Sequence, residues 1–254
     1  MATTVAPVLA AIVRARLAYL VTGGTGSGKT TLLSTLLGLV PPSERIVLVE
    51  DAAELRPVHP HVVALQARTA NVEGAGAIGL TDLVRQALRM RPDRLVIGEC
   101  RGAEIVDLLG ALNTGHDGGA GTLHANTAAD VPARLEALGL LGGLPRAALH
   151  AQVVAALQVV LQVRRVPQGR VPLGLASQGR APQGLASRGR VPQGRLLESV
   201  SVLLPAGEQR LATVVPAWRL GSGAAAGATA LARLLAGRGV PVPAVLEPPV
   251  GVGS

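Results

Sequence analysis

Short apolar runs alternate with amphipathic stretches along most of the chain. The runs RIVLVE (residues 45–50) and LVI (residues 95–97) are bounded by turn residues, which predicts short buried strands. Between them, apolar residues recur at intervals of three and four from Leu80 to Leu88, as in an amphipathic helix, and Pro92 ends this pattern. Strands that alternate with helices indicate an α/β fold with a mostly parallel sheet and helices on both faces.

The same patterns predict other elements of the first half of the chain. We expect further strands at residues 16–21, 62–67 and 121–124, and further helices at residues 30–39 and 103–112. Asp130 is expected to cap another helix, whose first turn tolerates Pro132.

The segment 166–195 has a different composition. GRVPLGLASQ, GRAPQGLASR and GRVPQGR follow one another with a period of ten, and so much Pro, Gly and Arg does not form a packed core. Strand-like sequences flank the segment at 157–165 and 196–204. We interpret it as a low-complexity insertion in the turn of a β-hairpin, and a functional repeat is the alternative.

These observations predict two regions. Residues 1–141 form the α/β core, and residues 142–254 form a C-terminal region of helix, hairpin and tail that contains the insertion at 166–195.

The positive charge of the chain is concentrated in one part of it. The net charge is +8, yet residues 1–140 carry 12 basic and 13 acidic side chains, whereas residues 141–195 carry eight arginines and no acid. Aromatic residues make up only 1% of the chain, so few side chains are available to stack on bases, and nucleic acid is not expected as a partner. No apolar run approaches the roughly 20 residues of a membrane-spanning helix. The single cysteine, Cys100, fits a reducing compartment.

The stretch VTGGTGSGKTT (residues 21–31) contains the only lysine among 24 basic residues. Residues 23–30, here called the phosphate loop, match G-x-x-x-x-G-K-[ST], in which glycines let backbone N–H groups point at phosphate oxygens. The lysine of this motif reaches the β- and γ-phosphates, and its last hydroxyl binds Mg²⁺. An ordinary glycine-rich turn is the alternative. The predicted nucleotide-binding residues are Gly23, Gly24, Thr25, Gly26, Ser27, Gly28, Lys29, Thr30 and Thr31.

Acidic residues follow two of the predicted strands. Glu99 comes after the strand at 95–97, with Gly98 where an aspartate is usual. We expect this strand to lie beside the phosphate loop, so that Glu99 faces the γ-phosphate and orients or deprotonates water. Glu50 ends the strand at 45–50, and Asp51 and Glu54 come after it; these acids could hold Mg²⁺ or water at the same sheet edge. The alternative for Glu99 is a solvated surface residue. The alternative for the other three acids is a position at the N-terminus of a helix, where the helix dipole favours negative charge.

Two histidines and several arginines are further candidates. His116 and His124 lie in TGHDGGAGTLHANT, where they could contact a γ-phosphate or be structural. The arginines at 85, 89, 91 and 101 could supply charge at a subunit boundary or pair with Asp82 or Glu104.

Four motifs in this order resemble the ATPases of type II and type IV secretion and pilus assembly, most closely the tight-adherence (Tad) pilus branch. They are a Walker A motif, GGTGSGKTT; an acidic box, VLVEDAAEL (residues 47–55); a Walker B motif with Gly-Glu, RMRPDRLVIGECRGAE (residues 89–104); and a histidine box, TGHDGGAGTLHANT. The resemblance covers residues 13–163 and, more loosely, 196–243.

The resemblance implies a RecA-like P-loop core with a small C-terminal hairpin and helix region. It implies an ATPase that uses ATP and Mg²⁺, forms a hexamer, and works with an inner-membrane platform protein at the cytoplasmic face. By motif position, the catalytic residues are Glu99, Glu50, Glu54, His116 and His124. The resemblance also implies that Thr30 and Glu99 contribute to the magnesium site, where Mg²⁺ is bound by way of ATP and water.

The family also carries an N-terminal domain that packs on the neighbouring motor and contributes arginines. Only 22 residues precede Gly23, so we expect this domain to be missing and ring assembly and activity to be impaired. Two alternatives follow: a nucleotide-binding homologue or regulatory subunit with weak or no hydrolysis, and, because of the basic segment, a nucleic-acid-dependent RecA-type ATPase.

Overall fold

A computed structural model describes residues 5–166 and 194–246 of the chain. The repeats between residues 167 and 193 lie outside the described residues, so their interpretation as a turn insertion stays a prediction. Among the residues that are described, no helix is both long enough and apolar enough to cross a bilayer.

The described residues form one nine-stranded sheet and seven α-helices. The strands are β1 Tyr19–Thr22, β2 Ile46–Glu50, β3 Val62–Gln66, β4 Arg94–Cys100, β5 Ala120–Leu123, β6 Val159–Arg165, β7 Arg195–Ala206, β8 Leu211–Arg219 and β9 Gly223–Ala224. The helices are α1 Ala6–Arg14, α2 Lys29–Leu37, α3 Leu80–Leu88, α4 Glu104–Asn113, α5 Val131–Leu141, α6 Arg146–Ala156 and α7 Ala228–Gly237. Short 3₁₀ turns lie at Ala128–Asp130 and Ala244–Leu246.

The sheet is parallel over its first six strands. Its order is β3-β2-β4-β5-β1-β6-β7-β8-β9, with β1 to β6 parallel and β7 to β9 antiparallel. Residues from α1, α2 and α7 pack in one apolar cluster, and residues from α3 to α6 pack in another. The prediction of a mostly parallel sheet with helices on both faces is therefore confirmed.

Several predicted boundaries need correction. The first strand begins at Tyr19 rather than residue 16, because Arg16 has a φ of 53° and ends the turn after α1. Strand β4 extends to Cys100, so Glu99 lies inside the strand rather than after it. Strand β5 separates β4 from β1, so β4 is not the strand next to the phosphate loop. The Asp130 carboxylate accepts hydrogen bonds from Thr127 instead of capping α5.

The β6–β7 hairpin is the predicted one. Strands β6 and β7 pair antiparallel, and the N–H of Val166 donates to the carbonyl of Gly194 at 2.9 Å at the end of the hairpin. The sheet continues across residue 141, since β6 pairs with both β1 and β7. The division into regions 1–141 and 142–254 stays a prediction.

A buried histidine joins three elements of the C-terminal region. His150 on α6 is only 3% exposed, and its Nε2 donates to Glu136 on α5 at 2.7 Å. Its Nδ1 accepts a hydrogen bond from the backbone N–H of Ala212 on β8 at 2.9 Å. The hydrogen bond from His150, with help from Arg146 at 3.2 Å, lowers the pKa of Glu136 below its ordinary value of 4.5.

The hairpin interpretation predicts that the repeats are dispensable for folding. Replacing residues 167–193 with Asn-Gly leaves a two-residue turn between Val166 and Gly194, which suits an antiparallel hairpin. Shortening the connection lowers the entropic cost of closing the loop by about 2 kcal/mol, so the unfolding temperature should rise by no more than about 8 °C. A Gly-Ser linker of the original length is the matched control. Loss of cooperative unfolding in the Asn-Gly variant alone would contradict the interpretation.

The His150 contact predicts a pH-dependent contribution to stability. Because the folded pKa of Glu136 is depressed, its carboxylate stabilises the folded protein above pH 4.5, and this stabilisation is lost as the pH falls through the folded pKa. Glu136→Gln should lower the free energy of unfolding by roughly 0.5–1 kcal/mol at pH 7 and by less in acid. Urea unfolding at several pH values measures the difference, with Glu208→Gln on an exposed turn as control. If the difference in free energy of unfolding between the wild type and Glu136→Gln did not change with pH, this explanation would be wrong.

Candidate functional site

A cavity of about 420 Å³ opens at the carboxyl edge of the parallel strands. Its size lies within the range of small-molecule sites. It is lined by Thr25, Gly26, Ser27, Gly28, Lys29, Thr30 and Thr31 of the phosphate loop and α2, and by Glu50, Asp51, Ala52, Glu54, Gly98, Glu99, Arg101, Thr122 and Arg195. The structure therefore brings most of the sequence-predicted site residues to one pocket.

The phosphate loop connects the end of β1 to the start of α2. Gly28 precedes α2 with a φ of 99°, a left-handed conformation that favours glycine and turns the chain sharply into the helix. The first N–H groups of a helix have no partner within it and carry its positive dipole end. The Nζ of Lys29 donates to the carbonyls of Gly23 and Gly24 at 3.1 and 3.3 Å, so the ammonium lies within the curl of the loop. This arrangement suits a phosphate group.

Glu50 and Glu54 have different tasks in the pocket. Glu50 is 3% exposed, and its Oε1 accepts hydrogen bonds from the N–H groups of Glu54 and Leu55 at 3.0 and 2.9 Å. Glu54 in turn accepts a hydrogen bond from the hydroxyl of Thr30 at 3.2 Å. Glu50 therefore holds the loop after β2 in place. Glu54 is the acid that contacts the hydroxyl of Thr30, the group that is expected to bind Mg²⁺.

Gly98 lies where an aspartate is usual, and the structure supplies the reason. A Cβ on Gly98 would lie 2.8 Å from Cγ of Glu50, so a larger residue has no room. The side chain of Glu50 fills the space that an aspartate at residue 98 would take.

Glu99 is held by an arginine. Its Oε2 accepts a hydrogen bond from Nε of Arg101 at 2.7 Å, and this contact raises the pKa of the Arg101 guanidinium. Arg101 also lies 3.9 Å from Asp51. Glu104, which was one possible ion-pair partner of the four arginines, instead accepts hydrogen bonds from the backbone N–H groups of Arg101 and Gly102 at 2.6 and 2.8 Å.

Sequence reasoning missed two polar residues beneath the loop. Thr122 on β5 lines the pocket and donates to the carbonyl of Gly98 at 2.7 Å, which links β5 to β4. Gln162 on β6 accepts from the hydroxyl of Thr22 and donates to the carbonyl of Asn126 at 2.9 Å. Both are buried polar residues that follow apolar residues of their strands, and that pattern was the available signal.

The two histidines lie at opposite ends of β5. His124 follows the strand directly, is exposed, and lies at the same sheet edge as the pocket. His116 precedes the strand, where its Nδ1 lies 3.2 Å from the carbonyl of Ala111. Because β5 separates them, the structure does not bring His116 to the pocket, and its placement does not support a role at a γ-phosphate. Neither histidine is among the pocket-lining residues.

The pocket fits magnesium only together with a ligand that brings its own oxygens. Within residues 5–166 and 194–246, no group of three His, Cys, Asp or Glu side chains could hold a metal ion. The Thr30 hydroxyl and the Glu54 carboxylate are hard oxygen donors, and Mg²⁺ commonly uses one or two such groups plus phosphates. Glu54 rather than Glu99 is the carboxylate next to Thr30.

The contact between Gly98 and Glu50 predicts a sensitive position. Gly98→Ala should displace Glu50 and lower the free energy of unfolding by about 1–3 kcal/mol, the usual cost of overpacking. The matched control is Gly110→Ala on α4, where a Cβ meets nothing within 4 Å and should stabilise the helix by roughly 0.5–1 kcal/mol. Urea unfolding measures both, and equal stability of the two variants would refute the packing argument.

Comparisons with known proteins identify the family of the chain. The family described as type II/IV secretion system protein matches residues 2–179. A Mycobacterium tuberculosis protein named for conjugal transfer is 68% identical over 165 residues, which are 65% of this chain and 47% of that one.

Two solved structures share the fold. The VirB11 ATPase of the Brucella suis type IV secretion system, in complex with sulphate, has a TM-score of 0.58 and 26% identity, over 76% of this chain and 50% of that one. The pilus retraction motor PilT with bound ADP has a TM-score of 0.53 and 27% identity, over 79% of this chain and 51% of that one. These likenesses confirm the predicted RecA-like core. The chain spans about half the length of the relatives that it matches.

Proposed function

The chain belongs to the type II/IV secretion system protein family, and we propose that it is an ATP-hydrolysing motor subunit of a bacterial secretion or pilus-assembly system. The observation that carries this proposal is the single pocket in which Lys29, Thr30, Glu54 and Glu99 meet at the carboxyl edge of the sheet. The nucleotide bound to PilT and the four ordered motifs support the same reading.

The phosphate loop is proposed to bind the triphosphate. Backbone N–H groups of the loop and the start of α2 surround the phosphates, and the ammonium of Lys29 neutralises the charge of the β- and γ-phosphates. The hydroxyl of Thr30 and the carboxylate of Glu54 are the groups that would hold Mg²⁺. When bound, Mg²⁺ supplies charge neutralisation at the phosphate oxygens.

Glu99 is proposed to orient the attacking water and to accept its proton. It lines the pocket from β4, two strands away from the phosphate loop, with Thr122 between them on β5. The ion pair with Arg101 competes with this role, so Glu99 is free to accept a proton only when Arg101 moves. A γ-phosphate offers Arg101 a competing negative partner. His124, exposed at the same edge, is a second proposed contact for that phosphate.

Assembly into a hexameric ring is the finer part of the proposal. The pocket lining carries three cations, Lys29, Arg101 and Arg195, against four acids, so it gains from positive charge brought by a neighbouring subunit. The proposed site of work is the cytoplasmic face of the inner membrane, with a platform protein as partner. Within the family, the motifs favour the Tad pilus branch. Nucleic acid is not a proposed partner.

Two substitutions separate binding from chemistry. Lys29→Ala should abolish hydrolysis and weaken ATP binding at least tenfold, because the loop loses the charge that faces the phosphates. Glu99→Gln should keep ATP binding but lower kcat by about 10² or more, the usual contribution of a general base. Isothermal titration in magnesium buffer and phosphate release measure the two effects.

The control is Glu198→Gln, which changes an acid on β7 that pairs with Arg164 away from the pocket. It should leave binding and turnover unchanged. Wild-type binding without turnover would favour the non-hydrolysing homologue instead, and turnover that survives both Lys29→Ala and Glu99→Gln would refute the assigned site.

A further inference from the structure

Two arginines at the end of the β6–β7 hairpin lie beside the phosphate loop, although neither belongs to its motif. Strand β1 ends opposite Gln162, whereas the parallel strand β6 continues to Arg165 and so runs along the loop. Arg195, the first residue of β7, is the pairing partner of Arg165. Nη1 of Arg165 lies 4.0 Å from the position of a Cβ on Gly26. Both side chains therefore lie on the sheet face that carries the loop.

Arg195 packs directly on the start of α2. Its Cδ lies 2.7 Å from where a Cβ on Gly28 would be, so the missing side chain of Gly28 makes room for it. Its Nη1 donates to the hydroxyl of Thr31 at 3.4 Å. The neighbouring hydroxyl of Thr30 points instead to Glu54. Arg195 and Glu54 thus contact different hydroxyls of α2, although both line the same pocket.

The charges of the pocket leave Arg195 available for an anion. Of the three cations in the lining, Arg101 pairs with Glu99, whereas neither Lys29 nor Arg195 forms an ion pair with any described residue. The planar guanidinium matches two phosphate oxygens at once.

We infer that Arg195, with Arg165 beside it, binds the phosphates that ADP and ATP share, from within the same chain as the phosphate loop. The inference rests on the proposed nucleotide-binding function. It adds to the pocket a source of positive charge that does not depend on a neighbouring subunit, and it gives the hairpin a direct part in nucleotide binding.

The test compares nucleotide affinities of the full chain by isothermal titration with ADP and with ATP in magnesium buffer. Arg195→Ala should weaken both by about the same factor, of the order of tenfold, because one charge-assisted contact to a shared phosphate is lost. Arg195→Lys keeps the charge but loses the planar fork, so its affinities should lie between those of the wild type and the alanine variant.

The matched control is Arg164→Ala, which removes the neighbouring arginine of β6, whose Nε pairs with Glu198 at 3.4 Å. It should leave both affinities unchanged, and the unfolding temperatures of all variants without nucleotide should agree with that of the wild type. Equal affinities for wild type and Arg195→Ala would overturn the inference while leaving nucleotide binding intact. A loss confined to ATP would also overturn it, since it places Arg195 at the terminal phosphate. Wild-type protein that binds neither nucleotide overturns the proposed function and this inference together.

Discussion

The site depends on one constraint of the fold, the parallel alignment of six neighbouring strands. Because β1 to β6 run in the same direction, the chain leaves each strand at the same edge of the sheet. Residues that are far apart in sequence, such as Lys29 after β1, Glu54 after β2 and Arg195 beside the end of β6, therefore meet in one cavity. The apolar strands are buried on both faces, so a change in their order or register would separate these side chains from one another.

The features that sequence reasoning predicted correctly have local causes. The phosphate loop is a continuous motif whose glycines and lysine are read directly from the chain, and the strand and helix beside it follow from short-range periodicity. The strand-end acids were found by the same edge argument, and Glu54 and Glu99 do line the pocket. The β6–β7 hairpin was predicted from two strand-like sequences around the repeats, and their pairing is observed.

The features that sequence reasoning missed depend on distant contacts. Glu50 faces backbone N–H groups rather than a metal because the loop that leads to Leu55 folds back onto its carboxylate. A sequence motif does not contain the conformation of that loop. The separation of His116 from the pocket follows from the direction of β5, since only its carboxyl end faces the site. Arg195 was assigned to the end of a low-complexity segment because its neighbours are repetitive, whereas its position depends on pairing with Arg165.

The acidic lining of the pocket is compatible with phosphate binding because most of its acids already have partners. Glu50 accepts two backbone N–H groups, Glu54 accepts the Thr30 hydroxyl, and Glu99 is paired with Arg101. Each of these contacts offsets part of the negative charge of the carboxylate. Lys29 and Arg195 have no carboxylate partner among the described residues, so they are the main groups that attract an anion into the pocket. The same contacts hold the acids in place until a ligand competes for their partners. The proposed mechanism couples binding and chemistry through charge, because the phosphates that Lys29 and Arg195 are proposed to bind would also compete with Glu99 for Arg101.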